Sequence, residues 1–261
     1  MADTVFDDDL NACAGIVQKG DPQRFKAAMA APVTARVVLF PIYAFNVEVA
    51  RAPWLTEEPM IAEMRLQWWR DVLEEIGSGG KVRRHEVVTP LSQVLDADGI
   101  ALLDKLIAAR RWDIYKDAFE DEAHFERYLT ETSGHLMLTA ARALGPADAA
   151  TVLNAGYATG LASFLQAIPR LEGAKRVPLV DGRSSAITDL ARNGLKRLHK
   201  ARAARSGVSL AASPAMLAAW QAGAVLRHAA KHPDLVASGG LAPAPIRDRA
   251  ALFMRSLSGK W

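Results

Sequence analysis

The sequence predicts an all-α protein. Residues that favour helices dominate its 261 positions, and alternating runs of β-branched residues, which would indicate strands, are nearly absent. Half of the residues are hydrophobic, which is enough for a sizeable core in one large domain or two small ones. We interpret the chain as a single domain that spans residues 1–261.

Three predicted helices open the chain. The first runs from Asp7 to Lys19, Gly20-Asp21-Pro22 ends it and caps the next, and the second runs from Pro22 to Ala31. The third has the sequence ARVVLFPIYAFNVEVAR, in which Pro41 predicts a kink or break just before Tyr43. One side of this helix and of the turn after it carries Tyr43, Asn46, Val47, Ala50 and Trp54 at helical spacing.

The fourth predicted helix, PMIAEMRLQWWRDVLEEI, has one apolar face and a charged remainder. The apolar face carries Ile61, Met64, Trp68 and Val72. Residues three or four apart can pair along one helix, and this spacing holds for Glu63, Gln67, Arg70, Asp71 and Glu74. Trp68 and Trp69 point about 100° apart around the helix, so either both pack in the core or one of them lines a cavity.

Further helices follow a polar, glycine-rich loop, GSGGKVRRHE. Its basic residues either contact a phosphate or membrane or simply face solvent: Lys81, Arg83, Arg84 and His85. The next helix, GIALLDKLIAARRWDIYKDAF, has Leu102, Leu106 and Ala109 on its buried side. The helix after it, AHFERYLTETSGHLMLTAARALG, contains His135, which we interpret as a core histidine, because no His or Cys lies at metal-ligand spacing.

The last third of the chain predicts four more helices. Pro169 is expected to end the first of them. The second starts at Asp189 and is basic and amphipathic, so it either lies on an anionic membrane or acidic partner or is a solvated face packed by its leucines. The remaining two run from Pro214 to Lys231 and from Pro245 to Ser258.

Two stretches, YAFNVEVA and EMRLQWWRD, resemble the squalene/phytoene synthase family. Within that family the combination is similar to a subgroup related to a complex I assembly factor. The resemblance covers about residues 21–258 and also includes a D-x-x-R-F pattern at Asp21 and an E-x-T-x-G pattern at Glu131, whose small residue allows close helix packing. It implies the isoprenoid synthase fold, which is all-α and built around a central cavity.

The resemblance also implies that both metal sites of the active enzymes are lost. Those enzymes hold Mg²⁺ on aspartates of a D-x-x-x-D pair, and the metal neutralises a diphosphate leaving group. The corresponding positions here are Ala50 and Trp54. A second motif, N-x-x-R-D with a further Asp, falls on Ala167, Arg170, Leu171 and Lys175, where only the arginine matches.

We therefore expect a protein without a cofactor that acts in binding or assembly, in respiratory complex I biogenesis by resemblance. One alternative is an active head-to-head prenyltransferase that recruits Glu48, Glu63, Asp71 or Glu74 as Mg²⁺ ligands. Another is an isoprenoid or lipid binder. The candidate cavity and ligand-binding residues are Tyr43, Phe45, Asn46, Arg65, Gln67, Trp68, Arg70, Phe164 and Arg170. Arg65 and Arg70 are equally consistent with structural pairs to neighbouring acids.

Composition bounds the partners and the location. The segment from Ala191 to Trp261 contains twelve Lys and Arg against two acids, so this basic quarter is a candidate for peripheral membrane contact. Cys13 is the single cysteine, which fits a reducing compartment and a small buried residue rather than a nucleophile. We find no run of eighteen apolar residues, no ordinary secretion signal and no nucleic-acid motif. The expected location is cytoplasmic, or peripheral on the inner face of the cytoplasmic membrane or its mitochondrial matrix equivalent.

Overall fold

The computed structural model describes residues 7–241 together with Leu252 and Trp261. Within those residues every regular element is helical, and an isolated antiparallel bridge joins Ala147 and Val208. The predicted all-α class is confirmed. The helices are α1 (Asp8–Gly20), α2 (Pro22–Ala30), α3 (Val33–Arg51), α4 (Pro59–Gly77), α5 (Val88–Leu91), α6 (Ala97–Arg110), α7 (Trp112–Tyr115), α8 (Glu122–Leu129), α9 (His135–Leu144), α10 (Ala149–Gly173), α11 (Ser184–Ala203), α12 (Ser213–Met216), α13 (Ala222–Lys231) and α14 (Leu235–Ser238).

Aspartates start five of these helices. Each accepts a hydrogen bond from the backbone N–H three residues later: Asp7, Asp21, Asp96, Asp121 and Asp148. A side-chain cap of this kind satisfies one of the free N–H groups of the first turn and contributes about 1 kcal/mol. The predicted boundary at Gly20-Asp21-Pro22 is therefore correct.

The helix α3 forms the centre of the core. The segment from Leu39 to Val47 is buried throughout, and the helix continues through Pro41, so of the predicted kink or break the break is wrong. Proline costs the helix one backbone hydrogen bond. By length and hydropathy alone the segment Val33–Trp54 could cross a membrane, contrary to the sequence-based expectation, but 61% of its apolar window is buried inside the protein. Such burial is typical of a core helix.

The helix α10 approaches the segment between α8 and α9 very closely. This segment, Thr130–Gly134, is a π-helical turn. A Cβ atom on Gly156 would lie 2.6 Å from the Gly134 Cα, and one on Gly160 would lie 2.6 Å from the Ser133 Cβ. The close packing expected from the E-x-T-x-G pattern is therefore confirmed.

Pro169 does not end α10, which continues to Gly173. The proline lies one turn from the end, so it removes only one backbone hydrogen bond from a helix of 25 residues. At the end of the helix the Ala174 N–H donates to the carbonyls of Arg170 and Leu171. The next residue, Lys175, has a left-handed backbone conformation with φ of 59°. Arg170 and Leu171 are consequently still on a helical face.

Two other predicted helices also differ from the structure. The helix over residues 99–119 is divided into α6 and α7, and Lys116 ends α7 in a left-handed conformation. Of its expected buried side only Leu106 is fully buried, because Leu103 and Ile107 complete the packed face. The helix over 214–231 is divided into α12 and α13, and the helix over 245–258 lies outside the described residues.

The helix α4 has its buried face on a different side from the one predicted. Ile61 and Met64 are 45% and 66% exposed, whereas Val72 is buried as expected. The buried face consists of Ala62, Leu66, Trp69, Val72 and Leu73. The reason is that α4 packs on α6 and α3 through Trp69, whose ring meets the Phe45 ring edge-on at 5.3 Å.

Two lone polar residues, Cys13 and His135, are core residues. Cys13 is fully buried, and burial raises the pKa of its thiol to about 12, so it is not a nucleophile. His135 is buried and hydrogen-bonds to the Leu102 carbonyl, while its Nδ1 atom has no partner among the described residues.

His135 makes stability dependent on pH. Burial lowers the pKa of its imidazole below the ordinary 6.5, so below about pH 6.5 the unfolded chain binds a proton that the folded chain does not. The melting temperature is therefore expected to fall as the pH drops from 7 to 5, and His135→Gln should flatten this dependence. Calorimetry between pH 5 and 7 measures the melting temperature of both proteins. If the melting temperature of the variant fell as steeply with pH as that of the wild type, His135 would not be the cause of the dependence.

Candidate functional site

A cavity of about 890 Å³ lies between α1, α3, α10 and the segment from residue 110 to residue 128. The turn Ala52–Trp54, which follows α3 directly, brings Trp54 to its edge. The lining includes candidate cavity residues and aspartate-motif positions named from the sequence: Asn46, Ala50, Trp54, Phe164, Ala167, Arg170 and Leu171. The positions that the resemblance assigns to the two aspartate motifs, Ala50 and Trp54 on one side and Ala167, Arg170 and Leu171 on the other, therefore line one space.

Two arginines stack on Trp54 beside this cavity. The Arg170 guanidinium lies 5.2 Å from the centre of a Trp54 ring, and that of Arg176 lies 4.6 Å away. Arg176 is only 5% exposed, and Trp112 lies on its other side at 5.8 Å. Aromatic faces stabilise desolvated cations by about 2 kcal/mol or more, and this explains how a buried guanidinium is accommodated here.

A buried ion pair forms the far wall of the cavity. Arg110 contacts the Asp113 carboxylate at 3.1 Å and the Tyr128 hydroxyl at 2.9 Å, and that hydroxyl donates to Asp113 at 3.1 Å. Burial raises the pKa of Tyr128, so its hydroxyl stays neutral. Arg176 donates to the Asp113 backbone carbonyl. The Asp113 carboxylate thus pairs with Arg110, while Arg176 binds the backbone carbonyl of the same residue.

Several polar atoms around this wall have no partner in the part of the chain that the structure describes. They are Nε of Arg110, Nε and Nη1 of Arg176, and Oδ1 of Asn46. Buried polar groups without a hydrogen bond cost free energy. The excess of donors over acceptors and of positive over negative charge favours an anionic or hydrogen-bond-accepting group in this part of the cavity.

The carboxylates that line the cavity are mostly paired with arginine. Asp21 contacts Arg24 at 2.5 Å, and Glu48 contacts Arg51 at 2.7 Å. Burial raises the pKa of Glu48, which makes it a weaker cation ligand. Among residues 7–241, no three His, Cys, Asp or Glu side chains converge as they do in a metal site.

A sequence profile of the squalene/phytoene synthase family matches residues 17–181, which is more than half of the chain. The chain belongs to the squalene/phytoene synthase family. The matched segment includes α3, α4 and α10, and so contains nearly all of the cavity described above.

The family member is similar to curated relatives that carry one name. It is 30% identical over 181 residues to a Drosophila melanogaster protein called NADH dehydrogenase (ubiquinone) complex I, assembly factor 6 homolog, with 64% of this chain and 53% of that protein covered. The Homo sapiens assembly factor 6 is 24% identical over 169 residues, with 63% and 50% covered. The chain thus spans about half the length of these relatives.

Solved structures of the family have the same fold. A dehydrosqualene synthase in complex with ligand superposes with a TM-score of 0.79 at 16% identity and covers 96% of this chain and 95% of its own. The squalene synthase HpnC from Alicyclobacillus acidocaldarius gives 0.70 at 16% identity, with 86% and 94% covered. At this identity the likeness confirms the predicted isoprenoid synthase fold and leaves the chemistry to the residues of the site.

Six candidate residues of this family member lie outside the cavity lining. Tyr43 and Phe45 are buried in the core, where Tyr43 packs under Arg24 and Phe45 on Trp69. Gln67 and Arg70 are on the outer side of α4 and bind Asp71 and Asp104. Arg65 and Trp68 line a separate groove. Neighbouring residues of α3 and α4 point to different sides of their helix. A residue close in sequence to the family motifs therefore need not have its side chain in the cavity.

The replacement metal ligands considered for the prenyltransferase alternative are dispersed. Glu63 binds Arg111 and Tyr115, Asp71 accepts from Gln67, and Glu74 is exposed on α4. Glu48 lines the cavity but is paired with Arg51.

Sequence reasoning missed the buried wall formed by Arg110, Asp113 and Tyr128. The available signal was ARRWD, in which Arg110 and Asp113 are three residues apart next to a tryptophan, a spacing that supports an ion pair. Lys175, at a position that the resemblance assigns to an aspartate, is exposed and is not among the lining residues, whereas Arg176 stacks on Trp54.

Proposed function

We propose that this family member is a non-catalytic binding protein that acts in the biogenesis of respiratory complex I, at the inner face of a bacterial membrane or the matrix face of its mitochondrial equivalent. The proposal includes the loss, in this chain, of both Mg²⁺-binding aspartate motifs of the active enzymes. Its partners would be subunits or assembly factors of complex I.

The observation that carries this proposal is the Trp54 stack. Trp54 stands at a position where the resemblance assigns a metal-binding aspartate, and the two guanidinium groups of Arg170 and Arg176 lie on it within 5.2 Å and 4.6 Å. A divalent cation placed here would be repelled by two positive charges, and among the described residues no three His, Cys, Asp or Glu side chains converge to hold it. The site has exchanged metal ligands for fixed cations.

The remaining donors do not fit Mg²⁺ either. Magnesium needs oxygen ligands in near-octahedral geometry, usually with one or two carboxylates at its centre. Of the four carboxylates in the lining, Asp21, Glu48 and Asp113 each pair with an arginine already, which leaves Glu86 alone. Ala50 and Leu171 offer no oxygen from their side chains. We therefore assign no step of a prenyl transfer reaction to this cavity.

The names of the relatives support the assembly role. Three curated relatives, from Drosophila melanogaster, Bos taurus and Homo sapiens, are called complex I assembly factor 6 or its homolog. Contact with the membrane surface belongs to the same proposal. The helix α11 turns Arg192, Lys196 and Lys200 to solvent while Leu198 and Ala201 are buried, and a basic face of this kind is suited to anionic lipid.

Cells that lack the protein test the assembly role. Complex I content on native gels and NADH oxidation by membranes should fall in these cells and return when the wild-type chain is expressed. Complex II activity should stay constant, which controls for a general loss of membranes. Normal complex I content in the deletion cells would rule the assembly role out.

A second candidate function is binding of an anionic amphiphile. The volume of about 890 Å³, the apolar Phe164 and Leu171 and the unpartnered guanidinium nitrogens are together suited to a molecule with an apolar body and an anionic head. Extraction of lipid from the purified protein, followed by mass spectrometry, tests it. A stoichiometric amphiphile would support this function, and its absence from gently purified protein would count against it.

A further inference from the structure

The helix α4 has a second apolar stripe, which is exposed at its N-terminal end and half-buried at Trp68. Met60 and Met64 are 76% and 66% exposed, and Ile61 and Trp68 continue the stripe. At 3.6 residues per turn these four residues span about 100° of the helix circumference, centred roughly 140° away from the buried face. A surface helix normally has one apolar face, so the second one requires its own explanation.

Three residues of this stripe, Ile61, Met64 and Trp68, line a groove of about 480 Å³. Leu55, which is half exposed, and the buried Ala52 and Trp69 line it as well. The groove has a preformed end, because His85 packs on both tryptophans at 5.3 Å and 5.8 Å. From Ile61 to Trp68 the lining extends about 10 Å along α4, or two helical turns.

Arg65 is an exposed cation in this groove. It lies in the field of the Glu48 carboxylate, but that carboxylate makes its ion pair with Arg51 at 2.7 Å. The neighbouring arginines differ, because Arg83 pairs with Glu75 and Arg84 pairs with Asp9. A ligand with an apolar face and a carboxylate complements this combination of an apolar wall that contains Met64 and an exposed guanidinium.

We propose that the groove defined by Leu55, Ile61, Met64, Arg65 and Trp68 is a docking site for an amphipathic helix of a partner protein. Apolar side chains one turn apart on the partner helix enter between Leu55 and Met64, and a carboxylate of that helix pairs with Arg65. The inference rests on the proposed assembly function and names the surface and the kind of segment through which that function acts.

The charges at the groove favour a protein helix over a membrane. Glu57 and Glu58, both exposed, come directly before α4, and the Glu48 carboxylate is part of the lining. Acidic groups next to an apolar surface repel the anionic headgroups that attract peripheral proteins. A concave groove closed by an aromatic end is also the shape that accepts side chains of a helix.

Photo-crosslinking from the groove tests the proposal. Benzoylphenylalanine placed at Met64, in the full chain expressed in cells that lack the native protein, is irradiated and the cross-linked peptides are sequenced. Leu210, which is 89% exposed, carries the same probe as the matched control. We expect the Met64 probe, and not the Leu210 probe, to join one protein at an amphipathic helical segment that contains a carboxylate.

Charge reversal then tests the pairing. Arg65→Glu should reduce this cross-link about tenfold, in line with the loss of an interfacial anchor, and a lysine in place of the partner carboxylate should restore it. The melting temperature should not change, because Arg65 is exposed. Cross-links to lipid or to a second copy of the chain, or no cross-link specific to Met64, would overturn the docking site.

The two proposals fail in distinguishable ways. Normal complex I content in deletion cells would end the assembly role, whatever the cross-link shows. If wild-type chain restores complex I and Ile61→Glu/Met64→Glu restores it equally well, the assembly role stands and the groove is not its docking site. Leu210→Glu is the matched control and should restore complex I fully.

Discussion

Asp113→Asn is expected to lower the free energy of unfolding by about 3–5 kcal/mol, the usual cost of breaking a buried ion pair by removing one partner. The Asp113 side chain is 5% exposed and pairs with Arg110, which is itself mostly buried. Asparagine keeps the size and a hydrogen-bond acceptor for Tyr128 but removes the charge. Arg110 then remains largely buried without a compensating anion. Urea unfolding monitored by circular dichroism measures the effect.

Asp98→Asn provides the control for this prediction. Asp98 also pairs with an arginine, Arg142 at 3.5 Å, but its side chain is 76% exposed. An exposed pair of this kind contributes at most about 1 kcal/mol. Equal effects of the two substitutions would show that Asp113 does not compensate buried charge.

Gly156→Ala is expected to lower the free energy of unfolding by about 2–3 kcal/mol, because the helices it joins have no space for a methyl group. The new Cβ would lie 2.6 Å from the Gly134 Cα and 3.2 Å from the Ser133 carbonyl oxygen. Both are backbone atoms, so this steric clash can be removed only if α10 and the π-helical turn move apart. Thermal and urea unfolding measure the loss.

The matched control is Gly15→Ala in α1. A Cβ at Gly15 meets nothing within 4 Å, so alanine keeps the packing and reduces the conformational entropy of the unfolded chain. Stability should rise by about 0.5–1 kcal/mol. If Gly15→Ala lowered the free energy of unfolding as much as Gly156→Ala, the distance from the new Cβ to its neighbours would not explain the effect of either substitution.

The sequence predicts the helices better than it predicts their orientation. Helix-forming residues, the aspartate caps and the small residues of α10 act locally, so the order of elements and the contact at Gly156 follow from them. The exposed faces depend on tertiary packing. Ile61 and Met64 are apolar at helical spacing, yet α4 uses Trp69 and Leu66 to contact the core.

The candidate site was predicted in part for the same reason. Ala50, Trp54 and Leu171 face one cavity, as alignment with the family motifs implies. The wall opposite them comes from α6, α7 and α8, and no local pattern indicates that Arg110 and Tyr128 meet across eighteen residues. Pro169 was expected to end α10, but a proline near a C-terminus removes too little hydrogen bonding to do so.

The most direct test of the central claim is an assay of the purified protein with farnesyl and geranylgeranyl diphosphate, with and without Mg²⁺. Pyrophosphate release and prenyl products are followed together, the latter by mass spectrometry. The account predicts no turnover above the buffer rate in either condition, because Trp54 stands where the resemblance expects a metal-binding aspartate and two arginines lie on its ring. Mg²⁺-dependent release of pyrophosphate with formation of a condensed product would contradict it.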